Sequence, residues 1–176
     1  MTERASRPRL VLVDGHGLAY RAYHALPPTL ATSSGEPTQV VFGFATMLLE
    51  VLNDFQPDYV IVCFDSGKSF RQDVFREYKA HRPETPDDLK RQLDRIRQLL
   101  DAFGIPIVAS EGYEADDLIG TLARQAVERG LDVLIVSGDT DLLQLVDDRV
   151  RVILPGRQRF GEYRVYDRQA FIERYG

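Results

Sequence analysis

Four apolar runs in this chain each stop at acidic residues. LVLVD ends at Asp14, YVIVCFD at Asp65, VLIVSGDTD at Asp139 and Asp141, and IPIVASEGYEADD at Glu111, Glu114, Asp116 and Asp117. Short β-rich runs of this kind read as parallel strands buried on both faces. In an open α/β sheet the ligand sits outside the carboxyl ends of the strands, so the acids fall on the functional edge. Carboxylates crowded there repel one another unless cations sit between them. The pattern therefore implies hard divalent metals and phosphate chemistry.

The chain's 176 residues are enough for one domain with a real core. A net charge of -5 argues against simple coating of nucleic acid. It leaves room for a nuclease, because metals neutralise active-site acids and basic residues can cluster elsewhere. The single cysteine, Cys63, rules out an internal disulfide and a cysteine-based zinc site, and its place in the run YVIVCF makes it a core residue. The start MTERASRPR is polar and lacks an apolar h-region, so no signal peptide is expected, and no stretch approaches the ~20 apolar residues of a membrane span.

Alternating strands and helices imply an α/β fold, a mostly parallel sheet flanked by helices. Strands are expected at 9–13, 59–64, 105–109, 131–136, 150–154 and 163–166. Helical spacing marks 38–53, with Thr38 as N-cap, then 86–103 stopped by Gly104, and 114–129 closed by Gly130. Residues 15–23 read as a loop with a possible short helix, 141–146 as a short helix, and a last helix follows the capping Asp167. Residues 66–88 differ: Lys68, Arg71, Arg76, Lys79, His81 and Arg82 mix with Phe70, Phe75 and Tyr78, with no clean core stripe. This segment is expected to leave the sheet.

Mg²⁺ and Mn²⁺ prefer oxygen ligands, and Mg²⁺ keeps several waters of its own. In two-metal sites the ions lie ~3.5–4 Å apart and stabilise the attacking and leaving oxygens. The GDTD unit, Gly138–Asp141, sets two acids on a tight turn, and Glu114, Asp116 and Asp117 start a helix. Each piece also has a plain structural explanation. Acids at helix starts cap amides and complement the dipole, and a lone Asp after a strand is often a turn residue. Basic runs are usually solvated faces. His16 beside Asp14 suits a local structural role, since hard-metal sites prefer oxygen.

Four motifs, VDGHGLAYRAYHAL, FDSGKSFRQDVFREYKAHRPETP, EGYEADDLIGTLA and VSGDTDLLQLV, follow in order through nearly all of 9–176. Together they resemble the 5′-nuclease domain at the N-terminus of bacterial DNA polymerase I, in the flap-endonuclease family. The resemblance implies a PIN-like, resolvase-like fold in which 1–176 is a single domain and 66–88 forms a basic arch over the active site. It implies metal-dependent hydrolysis of DNA at 5′ ends or 5′ flaps, as in primer removal and repair, with RNA-primed DNA also a substrate. Asp14, Asp65, Glu114, Asp116, Asp117, Asp139 and Asp141 would be the metal ligands or their water-bridged partners, for a two-metal Mg²⁺ or Mn²⁺ site. Lys79 would contact the scissile phosphate. Arg82 and Arg71 would hold phosphates, Tyr78 would stack on a base, and Tyr20 and Arg21 would lie beside the incoming strand. A polymerase domain in cis, a monomeric state, a bacterial cytoplasmic, nucleoid-associated location and no membrane partner follow from the same resemblance.

The family continues into a helix–three-turn–helix module that grips duplex DNA and carries further aspartates, and the sequence stops at ERYG before it. The expectation is a second metal site that is incomplete and a weak duplex grip. A catalytically impaired DNA-binding fragment is therefore the rival reading. An aspartyl phosphatase would want D-x-D at the first strand, where this chain has Asp14-Gly15-His16. A toxin-type ribonuclease of the related fold usually lacks the long basic segment. A folded remnant with unoccupied acids would be stabilised on adding Mg²⁺.

Overall fold

The computed structural model describes residues 7–67, 69–78, 81, 83–156 and 160–176. The apolar runs become strands β1 (Arg9–Asp14), β2 (Tyr59–Cys63), β3 (Ile107–Val108), β4 (Asp132–Val136), β5 (Val150–Pro155) and β6 (Tyr163–Tyr166). They form one sheet in the order β3-β2-β1-β4-β5-β6. Pairings among β1 to β5 are parallel and β6 is antiparallel to β5. The strand order reverses at β1, which lies between β2 and β4. That is the switch point outside which ligands bind in open α/β sheets.

Both faces of the sheet are covered, which is why its strands carry no polar alternation. In β1, Val11 and Val13 enter one core with Leu18, Phe44, Leu89 and Ile96, while Leu10 and Leu12 enter the other with Ile119 and Ala123. The first core packs helices α1 (Gly15–Ala25), α2 (Gln39–Phe55) and α4 (Asp87–Ala102). The second packs α5 (Ala115–Glu128) and a 3-10 turn, Thr140–Leu145. The chain closes with α6 (Arg168–Tyr175), capped by Asp167, whose carboxylate accepts from the Ala170 amide at 2.8 Å.

Several expectations are corrected. Residues 15–25 form a full α-helix rather than a loop with a short helix, because Asp14 caps it and its apolar residues Leu18, Ala19 and Ala22 are wholly buried. The run 105–109 yields only a two-residue strand, and its loop instead bonds β2 through the Pro106 carbonyl. Thr38 makes no side-chain cap bond; α2 instead begins with Gln39 and Val40 buried against Gln92, whose Oε1 accepts from the Val40 amide at 2.8 Å. The short helix expected at 141–146 is present as a 3-10 helix, Thr140–Leu145. Helix stops at Gly104 and Gly130 hold: both sit at positive φ, +67° and +90°, where side chains are strained.

Among its described residues, the basic segment 66–88 contains a short helix, α3 (Phe70–Val74), with no buried residue, before α4 begins at Asp87. It leans on the loop before α5. Ser69 pairs with Gly112 as an isolated bridge, and the Phe70 amide donates to the Gly112 carbonyl at 2.8 Å. No helix among the described residues is long and apolar enough to cross a membrane.

Candidate metal and phosphate site

At the carboxyl end of β1, Asp14 is 6% exposed and serves three elements at once. Its Oδ1 accepts from the Gly17 amide at 2.8 Å, capping α1, and its Oδ2 accepts from the Ser137 hydroxyl at 2.8 Å. The cap requires glycine at 17, since a Cβ there would stand 2.1 Å from Asp14 Oδ2. Burial pushes the Asp14 carboxyl above its ordinary range; the Gly17 and Ser137 hydrogen bonds oppose this, and the Asp65 charge adds to it.

Ser137 also accepts from the Asp139 amide at 3.0 Å. One buried hydroxyl thus links the first and last acidic motifs. Asp139 caps the 3-10 turn through the Asp141 amide, 2.8 Å from its Oδ1. Sequence reasoning missed Ser137. The only signal was its place between β4 and Gly-Asp, where a small hydroxyl can turn back on the strand end.

Asp65, just beyond β2, accepts from the Ala115 amide at 2.7 Å, so it sits against the start of α5. Its own amide donates to His16 Nδ1 at 3.1 Å. His16 is therefore a loop tie, as its sequence context suggested. The imidazole stands edge-on to Phe64, and burial lowers its pKa.

Across the cleft Glu114 and Asp117 form a capping box at the start of α5, with the Glu114 amide 3.0 Å from Asp117 Oδ2. Arg71 grips Asp117 with both guanidinium nitrogens, at 2.7 and 2.6 Å, and lies 4.0 Å from Glu114. The Tyr78 hydroxyl donates to Glu114 Oε2 at 3.3 Å. These carboxylates hold the guanidinium protonated to well beyond its ordinary range.

A cavity of about 520 Å³ gathers Asp14, Asp65, Glu114, Asp116 and Asp139 with His16, Tyr20, Arg21 and the Gly138–Thr140 turn. Five of the seven expected metal acids thus share one hollow at the switch point. Asp117 and Asp141 do not line it: Asp117 is taken up by Arg71 and its capping box, and Asp141 is exposed on the 3-10 turn. Tyr20 lines the cavity with its hydroxyl 3.0 Å from Thr85 Oγ1, and Arg21 donates to the Gly156 carbonyl. Arg71 and Tyr78 are turned toward acids in this state rather than toward open space. Lys79 and Arg82 lie outside the described residues.

The donor set is all oxygen and one of its members is a desolvated carboxylate, which suits a hard divalent cation. Among the described residues no three His, Cys, Asp or Glu side chains are grouped closely enough to hold an ion directly. A cation that keeps most of its own water needs only one or two direct carboxylates, so the residues present fit an aquated hard divalent cation better than a dehydrated one.

The family model described as 5′-3′ exonuclease, N-terminal resolvase-like domain, matches residues 9–176. DNA polymerase I of Chloroflexus aurantiacus is 60% identical over 148 residues, covering 84% of this chain and 16% of the polymerase. That of Bacillus subtilis is 45% identical over 177 residues, covering 100% of this chain and 20% of the polymerase. The chain thus spans at most a fifth of the length of either. Among solved structures, the T5 D15 protein co-crystallised with metal ions superposes with a TM-score of 0.70 at 22% identity, over 95% of this chain and 60% of that one. A pseudo-enzyme-product complex of the bacteriophage T5 flap endonuclease with DNA and metal ions gives 0.67 at 22% identity, over 95% and 60%. At that identity the likeness is one of fold.

Proposed function

Because this chain belongs to the 5′-3′ exonuclease N-terminal resolvase-like family, we propose that it hydrolyses phosphodiester bonds of DNA at 5′ ends or 5′ flaps. The observation that carries this reading is the convergence of Asp14, Asp65, Glu114, Asp116 and Asp139 on one cavity at the sheet's switch point. So acidic a hollow repels a nucleic acid unless cations occupy it. Asp14, Asp65 and Asp139 would hold a divalent cation, Mg²⁺ or Mn²⁺, with Glu114 and Asp116 reaching it through water. When bound, the cation neutralises these carboxylates and makes a water more acidic, so that no side-chain nucleophile is needed.

The chain's own residues set the geometry. Ser137 fixes Asp14 and Asp139 relative to each other, and His16 and the Ala115 amide fix Asp65. Tyr20 and Arg21 border the path of the strand. Arg71 and Tyr78, with Lys79 and Arg82, would turn to the phosphates and bases of a bound strand, Lys79 meeting the scissile phosphate. A polymerase region in the same polypeptide, as in the longer relatives, belongs to this proposal.

A second reading, a DNA-binding fragment with impaired catalysis, draws on a specific observation: Arg71 already neutralises Asp117 and no three described acids are close enough to hold an ion directly. Cleavage of an end-labelled 5′-flap DNA with Mg²⁺ or Mn²⁺ separates the two. Cutting that disappears with EDTA, and in the folded variants Asp65→Asn and Asp139→Asn, supports the nuclease. Flap binding without any metal-dependent product supports the impaired fragment. Cutting that survives both substitutions removes the metal-site assignment.

A further inference from the structure

On the other side of the Gly138–Thr140 turn lies a second cavity of about 220 Å³, lined by Gly138, Thr140, Leu154, Pro155, Gly156, Arg164, Tyr166 and Arg174. It shares Gly138 and Thr140 with the acidic cavity. The two hollows therefore meet along one turn, and their electrostatics are opposite. Among the described residues no carboxylate lines the second, and the two charged residues that do are arginines, from β6 and α6.

Both guanidiniums lie over the Tyr166 ring, and Arg174 also lies 5.5 Å from the Tyr175 centroid. Arg164 lies over Tyr166 at 5.0 Å from the centroid and Arg174 at 5.8 Å, with Arg174 Nη1 donating to the Tyr166 hydroxyl at 2.7 Å. Tyr166 itself is 2% exposed, so the platform is part of the core. Among the described residues neither arginine pairs with a carboxylate, although Arg71, Arg95, Arg97, Arg149 and Arg168 all do. A guanidinium offers five donors in a planar fork, and one bond to a phenol leaves most of them directed elsewhere. Both arginines are exposed, so in a chain of net charge -5 they stand beside an acidic hollow with donors available to an external anion.

A link runs between the hollows as well. Arg21, which lines the acidic cavity, donates to the carbonyl of Gly156, which lines the basic one. Gly156, just past the end of β5, is thus tied to α1.

We infer that Arg164 and Arg174, stacked on Tyr166, form a subsite for a backbone phosphate of the DNA, flanking the phosphate that is cleaved. The inference rests on the nuclease reading above and adds a contact at β6, the edge strand at the other end of the sheet from β3. Arginine forks grip phosphate oxygens in pairs, and a strand laid across the Gly138–Thr140 turn brings successive phosphates over the acidic and basic hollows in turn. The subsite positions the strand and reads no sequence.

The test measures equilibrium binding of a labelled 5′-flap DNA to the full chain over a range of salt, with Ca²⁺ replacing Mg²⁺. Arg164→Gln and Arg174→Gln are each expected to weaken binding roughly tenfold. Each should lower the slope of log affinity against log salt by about one unit, and the pair by about two. The Arg164→Lys, Arg174→Lys pair keeps the charge and the stem over Tyr166, so it should retain the slope while losing part of the affinity. A folded Gln pair with wild-type affinity and slope overturns the subsite. So does a Lys pair indistinguishable from wild type, should the Gln pair not fold. A wild-type chain without affinity for the flap removes the nuclease reading together with the subsite, whereas flap binding that ignores both pairs removes the subsite alone.

Discussion

The two banks of the acidic cavity are built on opposite principles. On the β1–β4 side, Asp14 and Asp139 are held by amides and one hydroxyl, and no cationic side chain is bonded to either among the described residues. On the α5 side, Asp117 is bound twice by Arg71, with Glu114 4.0 Å from the same guanidinium. The first bank carries a desolvated charge without its counterion; the second brings its own. Hydrogen bonds alone hold the carboxylates of the first bank, whereas an internal ion pair holds those of the second.

The largest effect that can break this contrast is at Asp14. Asp14→Asn keeps the caps to Gly17 and removes a buried charge. Cleavage is expected to fall by more than the roughly 10–100-fold typical of losing an outer-sphere group, while the metal-free chain melts higher than wild type. A lower melting temperature would show that the Asp14 charge is already compensated. Ser137→Ala comes next. It strips the shared hydroxyl from Asp14 and Asp139, so cleavage should drop roughly 10–100-fold and unfolding free energy by about 1–3 kcal/mol, read from denaturant titration. Unchanged cleavage would mean that the two acids are oriented by the backbone alone.

At the second bank the sign reverses. Arg71→Ala removes the internal cation from a partly exposed pair, so the metal-free chain should lose no more than about 1 kcal/mol. Added Mg²⁺ should restore part of the loss, because a divalent ion can take the arginine's place. Equal losses with and without Mg²⁺ would deny that exchange. The smallest effect lies off both banks. The Tyr163 hydroxyl donates to Asp54, which pushes its pKa up to about 12. A raised tyrosine pKa contributes stability that is complete below pH 10.0, its ordinary value, and is lost as pH rises toward about 12. In an ultraviolet tyrosinate titration this late step should vanish in Tyr163→Phe, with cleavage near neutral pH untouched; a late step that persists assigns it to another tyrosine.

Much of this architecture was written in local pattern. Apolar runs ending in acids gave the strands, their parallel pairing and the edge at which the acids gather, because burial on both faces leaves no room for polar alternation. Helices α2, α4 and α5 announced themselves by period, with glycines at positive φ marking two stops. Helix α1 did not, since Gly15, His16 and Gly17 are poor helix formers. Its glycines are set by contacts that only the fold creates: a Cβ at 15 would stand 2.6 Å from the Phe64 ring, and one at 17 would strike Asp14.

Sequence by itself determined which residue types the site would offer, a set of hard oxygen donors at strand ends, because chain geometry places those ends together in any sheet of this kind. The tertiary structure alone decided how they divide. Asp117 and Asp141 share the spacing of true pocket acids, yet one is turned into an arginine and the other onto an exposed turn. Ser137 joins Asp14 across 123 residues, and Arg164 and Arg174 meet on one ring because β6 runs back beside β5. Such choices depend on which side chains arrive within ~3 Å of one another. That distance is fixed by packing between elements far apart in the chain, which no local pattern encodes.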